Sequence, residues 1–365
     1  MKIAFVCPRF YPYIGGVETV VFNLAQNLTA KGMDVTILTQ TNGAALAKKE
    51  QLHNFTILRF NEIGFSKLKI SIDLLRYLQK NSGKYNIIHV QNYHAFPAIC
   101  VALTKKKPII FSPHYHGEGR TTLTNLLHYP YHFIGKFIFS QSDTILCDSN
   151  AEAQLIQKHF PNLKKITILP LGIDIEGIQK AKKYDDTLPY ILVVGRLENY
   201  KNIELIIRSL QFIDSKICLK IVGNGPELQQ LKNIAYKLNL SNRVYFLKNI
   251  SNEDLFRLLK SAKAYVTMSR MEAYGLSLLE AVAAGIGIVA SDIPAHKDLI
   301  KRFKINNIEL LDSNSSYKEL ADSIKIVMKK PSQAKAKLPS WKPIVEQTLS
   351  IYKNVLKKHK SLENV

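Results

Sequence analysis

Short runs rich in β-branched and apolar residues alternate with helically spaced stretches along almost the whole chain. The runs are KIAFVC (2–7), DVTILTQ (34–40), FTILRF (55–60), NIIHVQ (86–91), PIIFSP (108–113), TILCDS (144–149) and ITILP (166–170), followed by YILVVGR (190–196), KICLKIVG (216–223), RVYFLK (243–248), AYVTMS (264–269) and GIVAS (287–291). Most of them lack apolar/polar alternation, which predicts strands covered on both faces, as in parallel sheets. Residues 17–31, 203–210, 226–238, 252–261 and 276–284 have helical spacing. Repeated βα alternation restricts the chain to the doubly wound α/β class.

The alternation breaks at LPLGIDIEGIQKAKKYDDTLPY (169–190), a polar segment with prolines at both ends, which reads as a linker. A length of 365 residues suits two domains. We therefore expect α/β domains at 1–171 and 172–340, the boundary falling near residue 172. The terminal SWKPIVEQTLSIYKNVLKKHK is an amphipathic helix with Ser340 as its N-cap candidate and an apolar face of Ile344, Leu349, Ile351, Tyr352 and Val355. Open α/β sheets bind ligands outside the carboxyl ends of their strands, and two such domains facing each other would form a cleft. The chemistry should lie in the loops after the strands.

The net charge of +21 is spread along the chain, +10 up to Pro170 and +11 beyond it. Such a surface attracts anions, and nucleotides, anionic membranes and nucleic acid all qualify. No RNP, KH or helix-turn-helix pattern accompanies the charge, so nucleic acid is not expected as a partner. Cys7, Cys100, Cys147 and Cys218 lie far apart in or beside apolar runs, which reads as buried reduced thiols in a cytoplasmic protein. No run is long enough for a transmembrane helix.

Several strand-end loops carry candidate chemistry. Gly15-Gly16 precede a helix, where bare amides can approach an anion; a simple tight turn explains them as well. Gly195-Arg196 end a strand and Lys201 stands before a helix, two cations suited to phosphate or simply solvated. IVGNGPEL (221–228) has Leu228 where a dinucleotide fingerprint needs its third glycine, which disfavours NAD; a turn with Pro226 at helix N1 suffices. In SRMEAYGLSLLEAVAAG (269–285), Glu272, Ala273, Tyr274 and Gly275 form a loop and Leu276 opens a helix. Free amides there would point at an anion. Glu272 would reach a group beside that anion. Glu280, one turn into an apolar helix, would hold a hydroxyl pair such as ribose, because a buried carboxylate needs partners. His89, His94, His114 and His116 lie near strand ends but lack a third ligand type, so no metal is expected. His89 reads as a packed strand residue. LLHYPYHFIGKFIFS (126–140) is apolar, aromatic and basic, either a core helix or an interfacial patch.

Taken in order, GGVE, PIIFSPHYHG, LCDSNAE, LPLGID, VVGRLENYKN, VGNGPE and SRMEAYGLSLLEAVAAG resemble the retaining glycosyltransferases of family 4, the GT-B group with an E-x7-E motif, which Glu272 and Glu280 match. The resemblance implies two Rossmann-like domains, an acceptor domain and a donor domain, with the last helix (341–360) crossing back to the first. It implies that Gly16 meets the donor diphosphate, with Gly15 beside it, and that Arg196 and Lys201 neutralise that diphosphate. Glu272 with Ala273, Tyr274, Gly275 and Leu276 would hold the donor sugar, Glu280 the ribose, and His114 would reach the sugar. Gly195, Gly223 and Asn249 would line the donor. No metal cofactor is implied. The expected activity is transfer of a sugar from a nucleoside-diphosphate donor, with retained anomeric configuration, to a glycan, lipid or lipid-linked acceptor. The expected location is cytoplasmic, with an anionic membrane surface as a candidate contact. Gly287 and Asp298 depart from the family's usual proline and glutamate. A nucleotide-sugar epimerase of the same fold and a basic nucleic-acid-binding protein are the alternatives.

Overall fold

A computed structural model describes residues 1–13, 15–42, 46–64, 69–104, 107–117, 122–163, 165–184, 188–329 and 336–363, without side chains for 122–130, 360, 362 and 363. The chain divides into two compact units, Met1–Gly172 with Trp341–Val365, and Ile173–Ser340.

The first unit is built on β1 (Lys2–Cys7), β2 (Asp34–Thr41), β3 (Lys49–Leu52), β4 (Phe55–Asn61), β5 (Ile87–Gln91), β6 (Ile109–Ser112), β7 (Thr144–Cys147) and β8 (Ile166–Ile168). The sheet order is β3-β4-β2-β1-β5-β6-β7-β8, parallel except for the β3–β4 pair. Its helices are α1 (Gly16–Ala30), α2 (Ile72–Asn81), α3 (Phe96–Ala102), α4 (Thr122–Gln141) and α5 (Asn150–His159). The core gathers Val6, Leu38, Val90, Phe111 and Ile145 from the continuous apolar runs, together with Phe160 at the end of α5. β3 escapes the sequence pattern because its KEQL is a polar, half-exposed edge strand.

The second unit opens with α6 (Ile175–Lys180) and carries β9 (Tyr190–Val194), α7 (Ile203–Ser209), β10 (Cys218–Val222), α8 (Leu228–Lys237), β11 (Val244–Leu247), α9 (Asn252–Ser261), β12 (Ala264–Thr267) and α10 (Leu276–Ala284). It closes with β13 (Gly287–Ser291), α11 (Pro294–Phe303), β14 (Ile308–Leu311) and α12 (Tyr317–Lys329). Its sheet is wholly parallel, in the order β11-β10-β9-β12-β13-β14, over a core that includes Val193, Leu219, Ile221, Val266 and Val289.

Two local expectations are corrected. The segment expected as a featureless linker contains α6, capped by the Asp174 carboxylate accepting from the Gly177 amide at 2.9 Å. Six residues with one fully buried side chain, Ile178, are too few to show periodicity. Pro226 lies in the turn before α8, not at its first position. Gly287, where the resembled family usually has proline, sits so close to α12 that a Cβ would come within 2.4 Å of the Val327 carbonyl oxygen, so only glycine fits.

The last helix, α13 (Trp341–Glu363), belongs to the first unit. Its Ile344, Leu349, Tyr352 and Val355 are buried, and Glu346 pairs with Lys31 at the end of α1. His89 Nδ1 bonds the Tyr352 hydroxyl at 2.7 Å and its Nε2 the Ser112 hydroxyl at 2.9 Å. Burial drives His89 down to about 3, so it is a neutral, packed strand residue that pins the helix to the sheet.

Candidate active site

In the second unit the parallel strands deliver their carboxyl ends to one edge. Gly195 (φ +158°) follows β9, Gly223 (φ +147°) follows β10 and Asn249 (φ +50°) follows β11. A Cβ on Gly223 would stand 1.9 Å from the Gly195 carbonyl oxygen, so the two loops meet backbone to backbone. A Cβ on Gly195 would lie 3.6 Å from Lys201 Nζ, which places that ammonium beside the bare strand end.

Lys201 arrives on a short 3-10 turn, Asn199–Lys201, and ion-pairs with Glu272 Oε1 at 2.5 Å. Burial would raise the Glu272 carboxyl, but Lys201 and then His296 hold it below its ordinary value. Arg196 is half exposed and its Nη2 pairs with Glu198 Oε1 at 2.6 Å. Thus both cations expected to face a phosphate hold carboxylates here.

Gly275 (φ +115°) is the N-cap of α10, a conformation glycine adopts without strain. The first bonds of the helix run from the Leu278 and Leu279 amides to the Gly275 carbonyl. The Leu276 and Ser277 amides, two residues and one residue before Leu278, have no intrahelical acceptor. Glu280 lies one turn further on, partly buried and without a hydrogen-bond or ion-pair partner among the described residues. Burial, then the Asp174 carboxylate, pushes it up to about 7. Tyr274 is buried, and Ala273 completes the loop.

His296 is a member of this cluster that the sequence did not single out. It is fully buried in the first turn of α11, and its Nδ1 donates to the Ser291 carbonyl at 2.8 Å. The Ser291 hydroxyl donates to the Ser269 carbonyl at 2.5 Å, and the imidazole edge lies against Gly275. Burial lowers its basicity while Glu272 opposes that. Its sequence signal was a histidine two residues after Pro294, the first residue of the helix.

In the first unit Gly15 is the extended N-cap of α1 and Gly16 its first residue. A Cβ on Gly16 would meet nothing within 4 Å, so this helix start is open, whereas one on Gly15 would collide with the Glu18 carboxylate at 2.5 Å. His114 (φ +47°) follows β6. Its Nδ1 lies 2.7 Å from Asp148 Oδ2 and its Nε2 2.8 Å from Gln91 Oε1. Burial presses the imidazole down, but Asp148, Glu152 and Glu18 outweigh it and raise it. Glu152 accepts from the Tyr115 amide at 2.6 Å and from the Asp148 amide at 2.7 Å, tying the two loops together. Ser149 caps α5 by accepting from the Glu152 amide at 3.0 Å. Ser149-x-x-Glu152 is a capping-box spacing and was a legible signal. The contacts of Gln91 and Asp148 with His114 were not. His94 and His116 stack with ring centres 5.3 Å apart. Among the described residues no group of three or more His, Cys, Asp or Glu could hold a metal, and no helix is long and apolar enough to cross a membrane. All four cysteines are free and buried.

Arg196, Lys201, Glu272, Glu280, Gly195, Gly223, Asn249 and the loop of Ala273 to Leu276 thus belong to one unit, and Gly15, Gly16 and His114 to the other.

Comparison with known proteins adds three findings. The family model for glycosyl transferases group 1 matches residues 174–338, and that for Glycosyltransferase Family 4 matches residues 14–176. The chain is 26% identical to a glycogen synthase of Mycobacterium tuberculosis over 80% of this chain and 78% of that one, and 22% identical to an alpha-monoglucosyldiacylglycerol synthase of Streptococcus pneumoniae over 82% and 73%. Its fold is shared with Anabaena HepE, solved in complex with UDP and glucose, at a TM-score of 0.75 and 18% identity over 99% of this chain and all of that one.

Proposed function

From the premise that this chain belongs to the glycosyltransferases described by those two models and has their GT-B fold, we propose that it moves a sugar from a nucleoside-diphosphate donor to a glycan or lipid acceptor with retention of anomeric configuration. The observation that carries this reading is one cluster in the second unit. An ion-paired Lys201–Glu272 and a nearby Arg196 stand with an open helix start at Leu276 and an unpartnered carboxylate, Glu280, one turn further on.

Each group suits one part of the donor. The α10 amides and the two cations stabilise the negative charge that grows on the leaving diphosphate, so the chain supplies this function without a metal. Glu280 accepts from the ribose hydroxyls, which relieves a carboxylate that burial otherwise penalises. Glu272 accepts from sugar hydroxyls while Lys201 keeps it ionised. His114, held at Nδ1 by Asp148, exchanges its Nε2 contact with Gln91 for a sugar hydroxyl and serves as a hydrogen-bond partner and not as a base. UDP, present in the HepE complex, is the first nucleotide to try.

A lipid or lipid-linked acceptor is supported by α4. Phe133, Ile134 and Phe137 are exposed there around Lys136, on a chain of net charge +21. The aromatic stretch read from the sequence is in part outside the described residues, since side chains 126–130 are not described. The S. pneumoniae relative is itself named for a glucosylated diacylglycerol. We place the protein on the cytoplasmic side, in peripheral contact with an anionic surface. Incubation with a panel of nucleotide sugars and lipid acceptors, with the product anomer read by NMR coupling, tests the reading. An inverted anomer would remove retention; donor consumption without any acceptor would favour an epimerase.

A further inference from the structure

We propose that a cavity in the first unit, at the carboxyl ends of β2 and β4, is a binding site for a phosphorylated polyol, taken as the acceptor headgroup. It has a volume of about 110 Å³ and is lined by Arg9, Gln40, Thr41, Asn42, Glu62 and Lys69, with Tyr13 at its rim.

Polar atoms without partners set this cavity apart. β2 reads DVTILTQT and ends on three consecutive polar residues, Thr39, Gln40 and Thr41, all buried. Gln40 and Thr41 are 3% and 5% exposed, and Gln40 Nε2 and Thr41 Oγ1 are buried with no hydrogen-bond partner among the described residues. Such orphaned groups are rare because each loses its water without replacement, and a bound ligand is one of the few reasons to keep them. They lie at the strand ends where open α/β sheets bind ligands.

The walls are braced and carry the complementary charge. Arg59 is buried, ion-paired to Glu50 at 2.7 Å, and donates to the Ala47 carbonyl at 3.0 Å and the Tyr11 carbonyl at 2.9 Å. It therefore holds the loop that carries Arg9 and Tyr13, whose ring lies under the Arg9 guanidinium at 5.9 Å. Lys69 pairs with Glu62, whose side chain is 7% exposed. Two cations against one carboxylate leave a single positive excess for one anionic group. The Gln40 and Asn42 amides, the Thr41 hydroxyl and the Glu62 carboxylate are the groups that read hydroxyls. None of these residues belongs to the unit that carries the donor cluster, and only the role as acceptor site rests on the transferase reading.

The test titrates the full chain by calorimetry with glucose 6-phosphate, glucose and inorganic phosphate, and by flotation with phosphatidylinositol vesicles against phosphatidylserine vesicles. Arg9→Ala and Gln40→Met are compared with wild type, and UDP-glucose binding is measured on all three. Glucose 6-phosphate binding identifies a free sugar phosphate, and selective phosphatidylinositol binding a lipid headgroup. Either supports the site when both variants weaken it at least tenfold, keep donor binding, and Gln40→Met melts no lower than wild type. No binding of either probe, variants that bind as wild type does, or an equal loss of donor binding would overturn it. A wild type that binds the probe but transfers no sugar would sink the transferase reading and leave the site standing.

Discussion

Lys201 and Glu272, 71 residues apart in the chain, meet in an ion pair of 2.5 Å with both side chains only 16% exposed. Neither charge is stable there without the other, since breaking such a pair leaves a desolvated charge behind. We expect Lys201→Ala and Arg196→Ala each to lower transfer by about two orders of magnitude or more, as loss of a group that stabilises a leaving anion does. Lys201→Ala should also lower stability by roughly 1–3 kcal/mol, and Lys201→Met with Glu272→Gln should recover much of that. Turnover near wild type in both single variants, with folding intact by circular dichroism, would remove the catalytic assignment.

Glu280 makes stability depend on pH. A carboxyl raised from 4.5 to about 7 binds its proton more tightly folded than unfolded, so stability falls as pH rises through that window. Glu280→Gln abolishes the titration. The variant should match wild type near pH 4 and exceed it at pH 8 by at most ~3 kcal/mol, at about 1.4 kcal/mol per pKa unit. It should also bind nucleotide more weakly. Melting curves at both pH values check this, and parallel pH profiles for the two proteins would count against it.

His114 has the opposite linkage. Its raised basicity stabilises the fold below the unfolded histidine value of 6.5, and the benefit fades as pH rises through the folded value. In Asp148→Asn the imidazole should titrate lower, visible in the His114 ring-proton NMR shift, and the pH optimum of transfer should move with it. An unmoved titration would show that Asp148 does not hold the proton.

The exposed Phe133, Ile134 and Phe137 of α4 bear on membrane contact. Flotation with anionic vesicles should be salt-sensitive, because surface attraction is screened within about a Debye length. Changing the three residues to serine should abolish it without altering the melting temperature. Binding that ignores both salt and the triple substitution would dismiss the patch.

The α/β class was legible because buried parallel strands must be apolar on both faces, and that pattern survives in one dimension. The strand-end position of Gly195, the loop positions of Lys201 and Glu272 and the helix position of Glu280 could be read for the same reason. Other features left no such trace. The edge strand β3 is polar, and α6, at six residues, is shorter than the window of about 11–18 residues over which helical periodicity shows. The burial of His296 beside Gly275, and the clasp of Gln91 and Asp148 on His114, join residues from different strands and loops. Sequence by itself determined which residue types stand at the ends of strands, because periodicity is local. Only the tertiary structure decided which of them share a charge, which are left without a partner and which are buried, because those depend on distances between segments that no local pattern encodes.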